Sequence, residues 1–380
     1  MNHKPATLKL QDGSAWEGYS IGADRSTEGE VVFSTGMVGY AQSLTDPSYH
    51  GQILVFTWPL VGNYGVPILK RDRHGIPLNF ESGKIQAAGV VVSESSAQPS
   101  HHSSALSFEA WLRREGIPGI AGIDTRALTR RLREQGVMRG SIIVEGTAVS
   151  KREEYSSMQA NHGTPVARVS VPSPVLYPGD PDSPLIALVD CGVKANILRI
   201  LIASGVSVLR LPWDYPFESV EFDGLFISNG PGDPKSCTRT IASLRTVLTQ
   251  LPPKPIFGIC LGNQLLALAA GADTWKLKYG HRSQNQPVIE AQSGKCHITS
   301  QNHGYAVQTD SLPSGWEPWF INANDHTIEG IKALKSPFRA VQFHPEGCPG
   351  PRDTEYLIHQ FIDEVRSSVS NRGLRARSNV

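Results

Sequence analysis

From Leu185 onward the chain alternates two apolar patterns. "LIALVD" (185–190), "VSVLRL" (206–211), "GLFIS" (224–228) and "PIFGIC" (255–260) are short, almost unbroken apolar runs, as expected of strands buried on both faces. "KANILRILIASG" (194–205), "TIASLRTVLTQ" (240–250) and "LGNQLLALAAGA" (261–272) instead place apolar residues at helical spacing. Strand–helix alternation of this length predicts an α/β domain over 185–366, with a mostly parallel sheet and flanking helices.

The N-terminal half reads differently. "TLKLQDGSAWEGYSIG" (7–22) alternates as a hairpin with its turn at Asp12-Gly13. "GEVVFSTGMVGY" and "GQILVFTWPLVGNYG" are further strand-and-turn units, and "SFEAWLRREGIPGIAGIDTRALTRRLREQG" (107–136) holds two helical patterns, ended by Gly116 and Gly136. Residues 1–150 are therefore expected to form a mixed, β-rich N-terminal domain preceding the α/β domain. Residues 151–184, with the proline-rich "VPSPVLYPGDPDSP", are expected to be a linker, and 367–380 a flexible tail.

Composition narrows the function. A net charge of +1 over 380 residues gives no sign of attraction to nucleic acid or to a membrane surface. The start of the chain lacks the apolar core of a signal peptide, and no run approaches the ~20 apolar residues of a membrane span. Five scattered cysteines without a CxxC point to a reducing cytoplasm, not to a disulfide framework or zinc ribbon. The twelve histidines show no metal-ligand spacing, so no metal is expected in this chain.

Three short stretches carry chemistry. Cys260 stands where a strand ends and a helix begins, between Gly258 and Gly262. That placement resembles a nucleophile elbow, with the helix N-terminus favouring a thiolate and the Leu261 N–H free to donate to an oxyanion. "SNGPGDP" (228–234) offers Gly230 and Gly232, whose backbone N–H groups can face an anion. "VQFHPEG" (341–347) reads as a strand followed by His344 and Glu346, two apart and able to lie on one side of an extended chain. Each taken alone has a bland alternative: a buried cysteine, a plain turn, a His and a Glu in a loop. Together all three fall at carboxyl ends of strands, where open α/β sheets place ligands, in the order of a nucleophile–base–orienter triad.

"SNGPGDP", "GICLGNQLLALAAGA", "QNHGYAV" and "FHPEGCPGP" resemble the class I, triad-type glutamine amidotransferases. "GEVVFSTGMVGYAQSLTDPSYHGQILVFTWPLVGNYG", "GIAGIDTRALTRRLREQG" and "DCGVKANILR" resemble, within that class, the carbamoyl-phosphate synthase small chains. The resemblance implies a triad of Cys260, His344 and Glu346, and a glutamine pocket drawing on Ser48, Gly230, Gly232, Leu261, Gln264, Asn302, Gly304 and Tyr305. It makes the N–H groups of Gly232 and Leu261 the oxyanion hole. His303 is read as a packed or surface histidine. Asn263 stands where the family usually shows histidine, and Ser283-Gln284 where glycines are common.

By the same resemblance the chain is a glutaminase subunit, with L-glutamine as substrate and a large synthetase chain as partner in a heterodimer, a higher oligomer being left open. It implies no cofactor in this chain; ATP and a divalent metal belong to the large chain. The absence of a GxxxxGK[ST] loop here agrees with that division. Rival readings are another amidotransferase of the class, which would lack residues 1–150, and a non-catalytic scaffold, which would not need Cys260, His344 and Glu346.

Overall fold

A computed structural model of the chain describes residues 3–147 and 164–378, with side chains as far as residue 370. It divides into two compact units, Met1–Pro165 and Val166–Val380.

In the first unit, seven strands close into a barrel in the order β1-β2-β6-β5-β4-β3-β7. They are β1 (Pro5–Leu10), β2 (Ala15–Gly22), β3 (Thr27–Ser34), β4 (Gln52–Phe56), β5 (Gly89–Val91), β6 (Pro118–Ala121) and β7 (Met138–Val144). The pattern of β1 shows why: Ala6, Leu8 and Leu10 point inward while Thr7 and Lys9 face out. The expected turn forms at Gly13, at φ 84°, with the Ser14 N–H donating to Asp12 Oδ1 at 2.9 Å. Helix α1 (Tyr40–Thr45) lies between β3 and β4. Both predicted helices appear, as α2 (Phe108–Arg114) and α3 (Thr125–Gln135). Each is capped by a side chain: Ser107 Oγ accepts from Ala110 N–H at 3.3 Å and Asp124 Oδ1 from Ala127 N–H at 2.8 Å. Leu54, Val90, Phe108, Trp111 and Leu112 share one core.

The second unit is built on a ten-stranded sheet in the order β14-β13-β15-β16-β17-β12-β11-β9-β10-β8. Its parallel centre is β9 (Leu185–Asp190), β10 (Ser207–Pro212), β11 (Gly224–Ile227), β12 (Ile256–Ile259) and β17 (Phe338–Val341). Leu225 and Ile227 face a core shared with helices α5 (Thr238–Gln250) and α6 (Leu261–Ala270). Phe226 turns the other way, 5.7 Å from the ring of Phe361 on helix α7 (Tyr356–Ser378). That face also receives α4 (Ala195–Ala203). The antiparallel flank is a long hairpin of β13 (Thr274–Glu290) and β14 (Cys296–Val307), with β15 (Trp316–Asn322) and β16 (Ile328–Ala333). Its polar, alternating sequence does not read as buried strand.

Three expectations differ from the structure. Residues 151–163 of the expected linker, like 148–150 before it, lie outside the described residues, but its later part is ordered: Val175–Tyr177 forms β8, an edge strand antiparallel to β10. All three residues, Val-Leu-Tyr, are apolar, with Leu176 exposed and Tyr177 buried, a run too short to stand out among the surrounding prolines. The expected tail continues α7 as far as Ser378. The helix is anchored by Leu357, Ile358, Phe361, Ile362 and Val365, all buried and spaced along one face. Third, β17 ends at Val341, so Gln342 and Phe343 are not strand.

Candidate active site

Cys260 follows the last residue of β12 and caps α6 with φ 54° and ψ −102°. A side-chain-bearing residue enters that region only when its surroundings enforce it. Two glycines make the bend feasible: a Cβ on Gly262 would lie 2.2 Å from the Ile227 carbonyl oxygen, and one on Gly258 would lie 2.7 Å from the Gly262 carbonyl carbon. The Cys260 N–H still donates to the Val341 carbonyl at 2.8 Å, prolonging the β12–β17 ladder into the elbow. Its thiol faces the Asn302 carbonyl on β14 at 3.6 Å. Leu261 is the first residue of α6, and its N–H, like others in a first turn, has no partner within the helix.

His344 and Glu346 are brought together by a turn, not by an extended strand as the sequence suggested. Pro345 sits second in the turn, and the Gly347 N–H closes it on the His344 carbonyl at 3.1 Å. Gly347 takes φ 62°, open to glycine. A backbone bond from His344 N–H to the Ser300 carbonyl at 2.8 Å ties this turn to β14. The carboxylate of Glu346 then meets His344 Nδ1 at 2.7 Å, with both side chains buried.

A fourth group joins them. Lys194, at the N-terminus of α4 and 2% exposed, places Nζ 3.0 Å from Glu346 Oε1 and donates to the Gly347 carbonyl at 2.5 Å. Asn196 Nδ2 donates to the Glu346 carbonyl at 2.6 Å. Burial pulls the His344 pKa down, but the Glu346 carboxylate outweighs it and the nearby Cys260 thiol adds to the rise, to about 10; Lys194 opposes it. Burial pushes Glu346 up, yet Lys194 and then His344 hold its carboxyl at about 2. His344 Nε2 is buried without a fully formed hydrogen bond to nitrogen or oxygen.

Gln264, Gly230 and the β14 residues Asn302, Gly304 and Tyr305 lie beside this centre. Gln264 Nε2 donates to the Tyr305 carbonyl at 2.9 Å and to Gln342 Oε1 at 3.1 Å. Asn302, Gly304 and Tyr305 follow one another along β14 beside the thiol. Gly230 packs so tightly that a Cβ would lie 2.0 Å from the Cys191 carbonyl oxygen and 2.9 Å from Leu261 Cδ2. Gly232 takes φ 92°. Ser48 belongs to the first unit, buried in the 3-10 turn Pro47–Tyr49, where its N–H donates to Asp46 Oδ1 at 2.9 Å.

His303 is packed, not at the surface, and only 4% exposed. Asn263 is buried under the elbow, its Nδ2 3.2 Å from Gln342 Oε1. Ser283 is buried on β13, opposite Gln301. Lys194, Asn196 and Gln342 were not singled out from sequence. A lysine heading an apolar helix, in "DCGVKANILR", was the signal available for Lys194.

The family model for the carbamoyl-phosphate synthase small chain, CPSase domain, matches residues 8–142, and that for class-I glutamine amidotransferases matches 187–364. The carbamoyl phosphate synthase arginine-specific small chain of Aspergillus clavatus is 49% identical over 372 residues, covering 97% of this chain and 81% of that one. The protein of the same name from Yarrowia lipolytica is 49% identical over 370 residues, covering 95% and 82%. The multifunctional protein CAD of Squalus acanthias is 48% identical over 361 residues, covering 95% of this chain and 16% of its own length. With both its halves matched and relatives this similar along nearly its whole length, the chain belongs to the family of carbamoyl-phosphate synthase small chains and carries a class-I glutamine amidotransferase domain.

Proposed function

We propose that this chain hydrolyses L-glutamine at Cys260 and delivers the ammonia to a carbamoyl-phosphate synthase large chain. The arrangement of Cys260, His344, Glu346 and Lys194 carries the reading. Protonated His344, ionised Glu346 and Lys194 sum to one positive charge in a buried place. Transfer of the Cys260 proton to His344 gives a thiolate that balances this charge.

Glutamine is held by Gln264 and by Asn302, Gly304 and Tyr305 of β14. The thiolate attacks its amide carbon, and the developing oxyanion accepts from the N–H groups of Gly232 and Leu261. His344 gives its proton to the leaving nitrogen, and ammonia departs as the thioester forms. Neutral His344 then takes a proton from water, which attacks the thioester. Collapse releases glutamate and restores thiolate and imidazolium. Glu346 holds the imidazole by Nδ1 throughout, and Lys194 keeps Glu346 ionised.

In the large chain, ATP and a divalent metal drive condensation of the ammonia with bicarbonate. The carbamoyl phosphate formed serves arginine or pyrimidine biosynthesis in a reducing cytoplasm. Relatives of both descriptions support that range: arginine-specific small chains on one side, the multifunctional proteins CAD and pyr-3 on the other. Among the described residues no helix is long and apolar enough to cross a membrane.

The test uses the chain assembled with its large partner. Cys260→Ser is expected to abolish glutamine-dependent carbamoyl phosphate synthesis and to leave the ammonium-dependent reaction intact. A Cys260→Ser complex that still hydrolyses glutamine at the full rate overturns the assignment.

A further inference from the structure

A second group of buried titratable side chains lies in the same unit, and the mechanism above does not use it. His281 on β13 is 7% exposed. Its Nδ1 lies 3.2 Å from Glu329 Oε1 and its Nε2 2.8 Å from Asp325 Oδ2. A neutral imidazole has one N–H and can donate to one carboxylate; donating to two ionised carboxylates takes a proton on each nitrogen. Glu329, on β16, is fully buried, and its Oε1 also accepts from Asn322 Nδ2 at 3.2 Å. A carboxylate in that position needs a cation beside it.

The group reaches the glutamine-binding strand directly. Along the β13–β14 hairpin the register shifts after Lys276, and pairing resumes at His281 opposite His303. The two rings meet edge to face, 4.9 Å apart and perpendicular. His303 Nε2 is 3.7 Å from Glu329 Oε1, and its Nδ1 bonds the Tyr305 carbonyl at 2.8 Å. That carbonyl also accepts from Gln264, as described above. The chain of contacts thus runs from Asp325 through His281, Glu329 and His303 to Tyr305 and Gln264.

We infer that His281, held as an imidazolium between Asp325 and Glu329, is a positioning residue for glutamine: it pins the bulged β13–β14 hairpin at the register that presents Asn302, Gly304 and Tyr305. This rests on the glutaminase reading and adds a residue that touches no substrate. The titratable groups facing His281 are Asp325 on the β15–β16 turn, Glu329 on β16 and His303 on β14. Its β13 neighbour Arg282 directs Nη1 to the Tyr279 carbonyl at 2.7 Å. Burial disfavours the charged ring, and the Asp325 and Glu329 bonds outweigh it, raising the pKa to about 9. His281, His303 and Glu329 also form a set able to ligate a metal ion, an occupant the experiment must exclude.

The experiment compares the wild-type complex with His281→Asn. The variant is expected to raise KM for glutamine roughly tenfold and to lower kcat less than twofold. The rate of Cys260 alkylation by iodoacetamide, which needs no glutamine, is expected to stay the same. In histidine-labelled protein, the His281 ring is expected to remain protonated at pH 8 by NMR, and Glu329→Gln to lower its pKa. Should His281→Asn not fold, Asp325→Asn at its exposed position is read instead, with a rise of about threefold in KM.

An unchanged KM in a folded, active variant overturns the inference, as does a neutral His281 ring at pH 7.5. One metal ion per chain, lost in His281→Asn, also overturns it. Absence of Cys260-dependent glutamine hydrolysis in the wild-type complex overturns the glutaminase reading, and this inference with it.

Discussion

His344 and His281 are both buried, both bonded to a buried glutamate, and both pushed well above the ordinary imidazole pKa. They differ in what is left over. His281 has a carboxylate at each nitrogen and no proton to give. His344 has one carboxylate, at Nδ1, and keeps Nε2 for chemistry. Glu346 is shared with Lys194, which restrains the rise in the His344 pKa. Glu329 is shared with Asn322 and a second histidine. The same pair of residue types is thus proposed as a reacting group in one place and as a clamp in the other, on the second partner of each.

That contrast can be broken most severely at the sulfur. Cys260→Ala is expected to lower glutamine hydrolysis by roughly 10³-fold or more, with the protein's thermal midpoint nearly unchanged; steady-state release of glutamate measures it. Glu346→Gln comes next. It removes the charge that holds the His344 proton, and kcat is expected to fall roughly 10²–10³-fold. The His344 pKa should drop toward its ordinary value, shifting the pH–rate profile to lower pH.

Lys194→Met sharpens the comparison from the other side. It leaves Glu346 buried with only His344 to compensate it, and is expected to destabilise the unit by about 3 kcal/mol. The His344 pKa should rise further, because Lys194 opposes that rise. Denaturant unfolding and the pH–rate profile report the two effects separately.

The smallest effect is the pH dependence of the clamp. The folded pKa of His281, about 9, lies above its unfolded value of 6.5. The folded state therefore holds the proton more tightly, and the stability from His281 is fully present below pH 6.5 and lost as pH rises through about 9. The difference in thermal midpoint between wild type and His281→Asn should shrink across that window. A difference constant from pH 6 to pH 10 would show that His281 is not charged in the fold.

Much of the α/β unit was legible because its central strands are buried on both faces and so read as unbroken apolar runs. The elbow was legible too, since only glycine tolerates the neighbours of Gly258 and Gly262. The β13–β14 hairpin was not, since its polar positions pack against other polar side chains inside the unit. β8 was hidden by prolines, and α7 ran on past the point where its apolar face stops because its first turns were already anchored.

By itself the sequence determined the alternation of central strands and helices in the second unit, a cysteine at a strand-to-helix junction, and the proximity of His344 to Glu346, all consequences of neighbours a few positions apart. Tertiary structure alone decided that Lys194, some 150 positions before Glu346, would lie against it, and that His281, Asp325 and Glu329 would meet. The physical reason is that a buried charge is stable only beside its counter-charge. That partner is chosen by the packing of distant strands, for which no local pattern of residues need exist.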